Sequence, residues 1–233
     1  MTDAKVVIKG VTETGEAFSE SVSLEETSLY LGGEYPLISI DLTPLQHCRN
    51  LQELDLEDNQ LPSLDLSPLQ NCAELQRLNL TLNQFPSLDL TPLQHCRKLQ
   101  ELYLGENELT SLDLAPLRHC EKLQELSLPY NQLSALNLTP LQSCLGLRVL
   151  YFADNKLSSL DLAPLQSCSN LITLDFRLNP LTELIVTPLK NCRKLERLLL
   201  DSNIALLWEE SPLPKEEALP RGLQEHYNRL KLT

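Results

Sequence analysis

The stretch Leu51-Gln-Glu-Leu54-Asp-Leu56-Glu-Asp-Asn59-Gln-Leu61-Pro-Ser-Leu64-Asp-Leu66-Ser-Pro68-Leu69-Gln-Asn-Cys72 decides the fold. Over Leu54-Asp55-Leu56 apolar and polar residues alternate, the pattern of a strand with one buried face. Asn59 ends that strand, and a second short extended piece, Leu64-Asp65-Leu66, returns the chain. Ser67-Pro68 then reads as a helix N-cap and first-turn proline, because a Ser hydroxyl can accept a bond from a free amide and Pro has no amide to lose there. The helical piece that follows, to Cys72, is a turn or two long.

The same stretch returns with a step of 24 residues. Cys48, Cys72, Cys96, Cys120, Cys144, Cys168 and Cys192 are each 24 apart, and Pro44 to Pro188 and Asn59 to Asn203 keep the same step. Leu51 recurs as Leu75, Leu99, Leu123, Leu147, Leu171 and Leu195, and Leu54 recurs strictly down to Leu198. The Leu56 column admits Phe152 and Phe176. Neither a disulfide framework nor a metal site locks three residue types to one period over this length; a tandem structural repeat does.

The pattern Leu-x-x-Leu-x-Leu-x-x-Asn-x-Leu resembles the leucine-rich repeat family, with seven regular 24-residue repeats over residues 36–203. The Cys-x-x-Leu spacing before each strand resembles the bacterial cell-surface subtype of that family. The resemblance implies an α/β solenoid: a curved horseshoe with a parallel β-sheet on its concave face, short helical turns on its convex face, and a ladder built by the recurring asparagines. One repeat cannot bury its own leucines. Stacking coils at the strand spacing of about 4.8 Å removes them from water, so the stack is cooperative and its two ends need caps.

Residues 1–35 are expected to form the N-terminal cap, a β-hairpin over 5–24 around a Thr-Gly turn followed by a degenerate repeat. Residues 204–233 are expected to form the C-terminal cap, with Ala205 and Trp208 where Leu is due and an amphipathic helix near Leu219–Leu230. Thr43, Ser67, Thr91, Thr139 and Thr187 offer hydroxyl caps whereas Ala115 and Ala163 do not, so the last two helical turns are expected to be looser.

The 233 residues carry 19 Lys and Arg against 32 Asp and Glu, a formal net charge of −13. That balance argues against nucleic acid as a partner, which demands an excess of cations. No apolar run approaches the roughly 20 residues of a membrane span, and the start Met1-Thr-Asp-Ala-Lys-Val-Val-Ile-Lys9 lacks the apolar segment of a secretory signal, so a cytoplasmic monomer is expected.

The cysteine column has the spacing of a core position, where a thiol behaves as a small inert hydrophobe. His95 and His119 stand beside cysteines in successive coils, but adjacent residues of a helical turn point about 100° apart, so a shared zinc ion is disfavoured. Asp41, Asp65, Asp89, Asp113 and Asp161, with Asn137 and Ile185 as departures, form a column that invites a calcium ladder or backbone hydrogen bonds beside the following turn. No Gly-rich phosphate loop, G-x-S-x-G elbow or H-E-x-x-H stretch occurs, so no catalytic residue, metal or cofactor is expected.

What remains is the concave face. Tyr103 and Tyr151 share a column with Ser127 between them and Tyr130 alongside, bordered by Glu101, Glu125, Arg148, Val149, Asp175 and Arg177. Aromatics ringed by charge mark interface centres; exposed Tyr also simply suits strands. The expected function is a non-catalytic scaffold that binds a protein or peptide with a basic surface through this patch. The alternative is a structural or regulatory subunit that binds through its more basic convex face, with Arg49, Arg97, Lys98, Lys122, Arg193 and Lys194, or through its C-terminal segment.

Overall fold

A computed structural model describes residues 4–33 and 35–233. It opens with β1 (Lys5–Thr12) and β2 (Ala17–Ser23), an antiparallel hairpin turning at Gly15, where φ is +82°. β3 (Ser28–Tyr30) and β4 (Leu37–Asp41) follow. The repeats then supply β5 (Glu53–Asp55), β6 (Arg77–Asn79), β7 (Glu101–Tyr103), β8 (Glu125–Ser127), β9 (Val149–Tyr151) and β10 (Thr173–Asp175). The chain closes with β11 (Glu183–Ile185), β12 (Arg197–Leu199), β13 (Ala205–Trp208), α1 (Arg221–Gln224) and β14 (Leu230–Leu232).

Eight strands form one parallel sheet in the order β3-β5-β6-β7-β8-β9-β10-β12. Because the period is constant, like meets like across it: Leu54, Leu78, Leu102, Leu126, Leu150, Leu174 and Leu198 lie in register. Each of these is at most 1% exposed. Burial of such a side chain is worth roughly 1.5–3 kcal/mol, gained only when a neighbouring coil is present. Phe152 and Phe176 stack at 5.9 Å between ring centroids within the same core.

The asparagine ladder is present. Asn107 Nδ2 donates to Leu80 O in the preceding coil (3.0 Å) and to Leu104 O in its own (3.3 Å), while its Oδ1 accepts from Phe85 N at 3.2 Å. Asn59, Asn83, Asn131, Asn155 and Asn179 repeat the arrangement and all are buried. Asn203 is exposed and makes no such bond among the described residues. The residue before each buried Asn lies in the left-handed region: Asp58, Leu82, Glu106, Tyr130, Asp154 and Leu178 have φ between 52° and 57°.

The convex turns are 3-10 rather than α. In the second repeat Leu69 N donates to Leu66 O and Cys72 N to Leu69 O, both at 2.9 Å, so each bond spans three residues. Five residues are too few to recover the cost of starting an α-helix. Two expectations about these turns are corrected. The Ser and Thr residues do not cap them, since the cap position is the preceding Leu and no hydroxyl bonds a turn amide there. The Asp two residues earlier does that work instead: Asp65 Oδ1 accepts from Ser67 N at 2.8 Å, as Asp89 does from Thr91 N and Asp161 from Ala163 N. Ala115 and Ala163 therefore make the same 2.8 Å bond as their Ser and Thr counterparts, and their turns are no looser.

Further corrections concern the extended pieces. Leu64-Asp65-Leu66 and its equivalents are not strands in the middle repeats; only β4 and β11 are, since each finds a partner at an end of the solenoid. β4 pairs antiparallel with β1, joining the hairpin to the first coil. β11 pairs parallel with β13, which pairs with β14. The expected C-terminal amphipathic helix is only the four residues of α1 plus a 3-10 turn at Tyr227–Arg229. Its apolar residues are used differently: Leu223 packs inward from α1 and Leu230 opens β14. Trp208 is buried at the far end of β13.

Candidate functional site

Two columns of side chains face outward from the concave sheet. One runs Glu53, Arg77, Glu101, Glu125, Val149, Thr173, Arg197 and the other Asp55, Asn79, Tyr103, Ser127, Tyr151, Asp175, Leu199, each in strict register. Tyr103 and Tyr151 therefore flank Ser127, a small side chain that is 9% exposed. Tyr130 stands in the left-handed column at the strand end and is 54% exposed.

The carboxylates of this patch are unequally matched. Glu101 accepts from Arg77 Nη1 at 2.9 Å and from the Tyr103 hydroxyl at 3.0 Å. The Arg77 guanidinium lies 4.6 Å from the Tyr103 ring centroid, a cation–π contact that fixes ring and cation together. Glu125 has no ion pair among the described residues. Burial, and then the adjacent Glu101, push its pKa above the ordinary carboxylate value, with Tyr103, Arg77 and Arg148 opposing. Burial first and Glu125 second also push the Tyr103 phenol up.

Other residues expected in the patch are placed differently. Arg148 precedes β9 and is exposed; it extends a row outside the sheet in which Gln76, Gln100 and Gln124 each donate to the Gln of the coil before at 2.9–3.1 Å. Val149 is half-buried in the Glu125 column. Asp175 is 4% exposed and is gripped by Arg177, whose Nε and Nη2 reach its two oxygens at 3.0 and 2.6 Å. That pair is satisfied internally, two coils from Ser127. Arg77, the organiser of the Glu101–Tyr103 pair, was not among the residues expected to bind; its signal was its place one coil before Glu101 in the same column.

The remaining chemistry-bearing columns turn inward or are occupied. All seven cysteines are free and buried, and their thiols bond main-chain oxygens of earlier coils, as Cys120 Sγ does to Leu93 O at 3.4 Å. Burial raises the pKa of Cys72, Cys96, Cys120, Cys144 and Cys192 to about 12 and that of Cys168 to about 11. Of the pair weighed for zinc, His95 is exposed and His119 half-buried, while Cys96 and Cys120 beside them are buried. In the Asp column Oδ1 of each carboxylate accepts from the backbone amide two residues on, which is the hydrogen-bonding arrangement. Among the described residues no group of three or more His, Cys, Asp or Glu is placed to hold a metal ion, and no helix is long and apolar enough to cross a membrane.

Comparison with known proteins agrees with this architecture. Two leucine-rich repeat models match residues 50–72 and 73–133. No curated protein sequence matches the chain. The crystal structure of internalin C2 from Listeria monocytogenes is similar at 31% identity, covering 78% of this chain and 85% of that one, with a TM-score of 0.54. A leucine-rich repeat protein from Leptospira interrogans shares the fold at 22% identity and a TM-score of 0.63; this chain covers 52% of it, with 90% of its own length aligned. With its leucine spine and asparagine ladder in place, the chain belongs to the leucine-rich repeat family.

Proposed function

We propose that the protein is a non-catalytic scaffold that holds a protein or peptide with a basic surface against the Tyr103–Ser127–Tyr151 seat. Leucine-rich repeat proteins typically mediate protein–protein interaction. The observation that carries this reading is Glu125: a half-buried carboxylate with Glu101 and Val149 on either side, raised in pKa, without an ion pair among the described residues, and one column over from the Ser127 that separates the two tyrosines. A Lys or Arg from a partner would supply the missing charge, and the Tyr rings would exclude water around it. Glu101 and Tyr130 border the seat, Val149 supplies apolar contact, and Arg148 before β9 and Arg177 after β10 stand at opposite ends of their strands, where they repel a wrongly placed cation. The surplus negative charge of −13 raises the rate of encounter with such a partner.

We further place the protein in the cytoplasm as a monomer, with residues 1–35 as N-terminal cap, 36–203 as repeats and 204–233 as C-terminal cap. Seven reduced cysteines suit a reducing compartment.

The test is affinity capture from the source cell with crosslinking, followed by binding measurements on Tyr103→Ala and Tyr151→Ala. Crosslinks at the concave columns and a loss of affinity in both variants support the reading. Crosslinks confined to Arg97, Lys98 and Lys122 on the convex side, with affinity unchanged, would move the function to that face.

A further inference from the structure

The eight-stranded sheet ends differently at its two sides. At β12 the C-terminal segment lies flush against the edge. Gly222 N donates to Leu195 O at 2.9 Å, and His226 Nε2 bonds Leu198 O at 2.8 Å. A Cβ at Gly222 would stand 3.1 Å from Leu198 N, tighter than an ordinary contact, so glycine suits this close approach.

Among the described residues, nothing seals β3 at the opposite end in this way. Glu53 N donates to Thr27 O at 3.0 Å, and Leu31 N donates to Asp55 O at 2.8 Å. In a parallel ladder residues alternate their bonding direction, so Leu29 faces β5 and the N–H and C=O of Ser28 and Tyr30 face away from it. Among the described residues none of these four groups has a backbone hydrogen-bond partner beyond β5. An open strand edge of this kind is a template for another strand.

Beside that edge lies a depression of about 360 Å³ walled by Tyr30, Gly32, Asp55, Glu57, Asp58 and Leu82. A Cβ at Gly32 would stand 2.1 Å from Glu57 O, so this glycine lets the chain press onto the next coil. Tyr30 is 63% exposed. Four carboxylates, Glu53, Asp55, Glu57 and Asp58, gather here, and the nearest guanidinium, Arg77, is 3.9 Å from Asp55 and bonded to Glu101.

We propose that β3 is a strand-addition site: an extended basic segment of a partner protein bonds the main chain of Ser28 and Tyr30 as a ninth strand and lays a Lys or Arg side chain over Tyr30 toward Asp55, Glu57 and Asp58. A strand added about 4.8 Å from β3 puts its side chains in the same outward columns as Tyr30 and Asp55. A cation there meets an aromatic face and carboxylates together. Charge selects against a second copy of this chain, because edge-to-edge pairing would bring two acidic ends into contact. The site is independent of the Tyr103–Tyr151 seat.

The test uses the full chain and a blocked hexapeptide of alternating Lys and Val, followed by amide NMR and hydrogen exchange. The expected result is saturable shifts at Ser28 and Tyr30 with slowed exchange of both amides. Ser28→Pro, which deletes an outward N–H, and Asp58→Lys should each weaken binding about tenfold or more, with thermal melts confirming that both variants fold. The same peptide with alternate amides N-methylated should not bind, and Tyr103→Ala with Tyr151→Ala should change nothing. Equal binding of the N-methylated peptide, shifts confined to β6–β8, or a chain that sediments as a β3-paired dimer would each overturn the proposal.

Discussion

Asp113 Oδ1 accepts a 2.8 Å hydrogen bond from the backbone N–H of Ala115, the same bond at the same length that Asp65 makes to Ser67. The residue that donates the bond contributes only its amide, so its side chain is free to vary. The residue that gives the oxygen is not. Asn137 stands in the Asp column and still accepts from Thr139 N at 3.0 Å, because an amide oxygen does the same work. Asp113→Ala should therefore cost about 0.5–2 kcal/mol, Asp113→Asn much less, and Thr91→Ala less than Asp113→Ala. Urea unfolding of the three variants checks the order; an equal loss for Thr91→Ala would return the cap to the hydroxyls.

Asn107→Ala should be far more damaging. It orphans the buried Phe85 amide, at about 1–3 kcal/mol, and takes the shorter of two bonds from the Leu80 carbonyl, which keeps Asn83 Nδ2 at 3.3 Å. Asn107→Asp should not rescue it, because a carboxylate cannot donate to Leu80 O. Thermal melts of both variants beside Asn203→Ala provide the comparison, since Asn203 is exposed and should tolerate the change.

The thiols should be silent until the solenoid opens. With pKa values of about 12 for Cys72, Cys96, Cys120, Cys144 and Cys192, only about one in ten thousand is ionised at pH 8. Iodoacetamide should leave the native protein unmodified and add seven labels in denaturant, read by intact mass. Rapid labelling of a central cysteine under native conditions would show that the stack opens between coils.

Glu125 predicts a pH dependence of defined sign. Its folded pKa is raised, chiefly by burial and then by Glu101, so the folded state holds that proton more tightly than the unfolded chain. The group therefore lowers stability as pH rises above its unfolded value, and it is neutral to stability below it. Glu125→Gln should raise the melting temperature at pH 7 and not at pH 3, while weakening binding of a basic partner. A lower melting temperature for the variant at pH 7 would mean that Glu125 already has its cation.

Leu178 holds φ at 57° while 61% exposed, so its backbone is strained and its side chain adds no core packing. Leu178→Asn should stabilise by about 0.5–1 kcal/mol, because Asn tolerates the left-handed region at lower cost. Denaturant midpoints with unchanged m-values check this; Leu178→Ala, which keeps the steric cost, should gain nothing.

The repeat, the strand positions and the leucine core were legible because every coil repeats the same local decision and the period of 24 brings identical residues side by side. The concave columns followed from that register. The condition of the site residues within them did not. Nothing local in Asp175 says that it is buried beneath an exposed Arg177, and nothing in Glu125 says that it lacks an ion pair while Glu101 has one.

The amino-acid sequence by itself determined the solenoid, since an apolar spine with a constant step can be buried only by stacking like on like. Only the tertiary structure decided what happens where repetition stops. There the C-terminal residues abandon helical periodicity to cover β12 through Gly222 and His226, while among the described residues no strand pairs with the outer edge of β3. The physical reason is that backbone hydrogen bonds at a sheet edge are satisfied by whatever chain packing brings near, and that depends on contacts far apart in sequence, which no local pattern encodes.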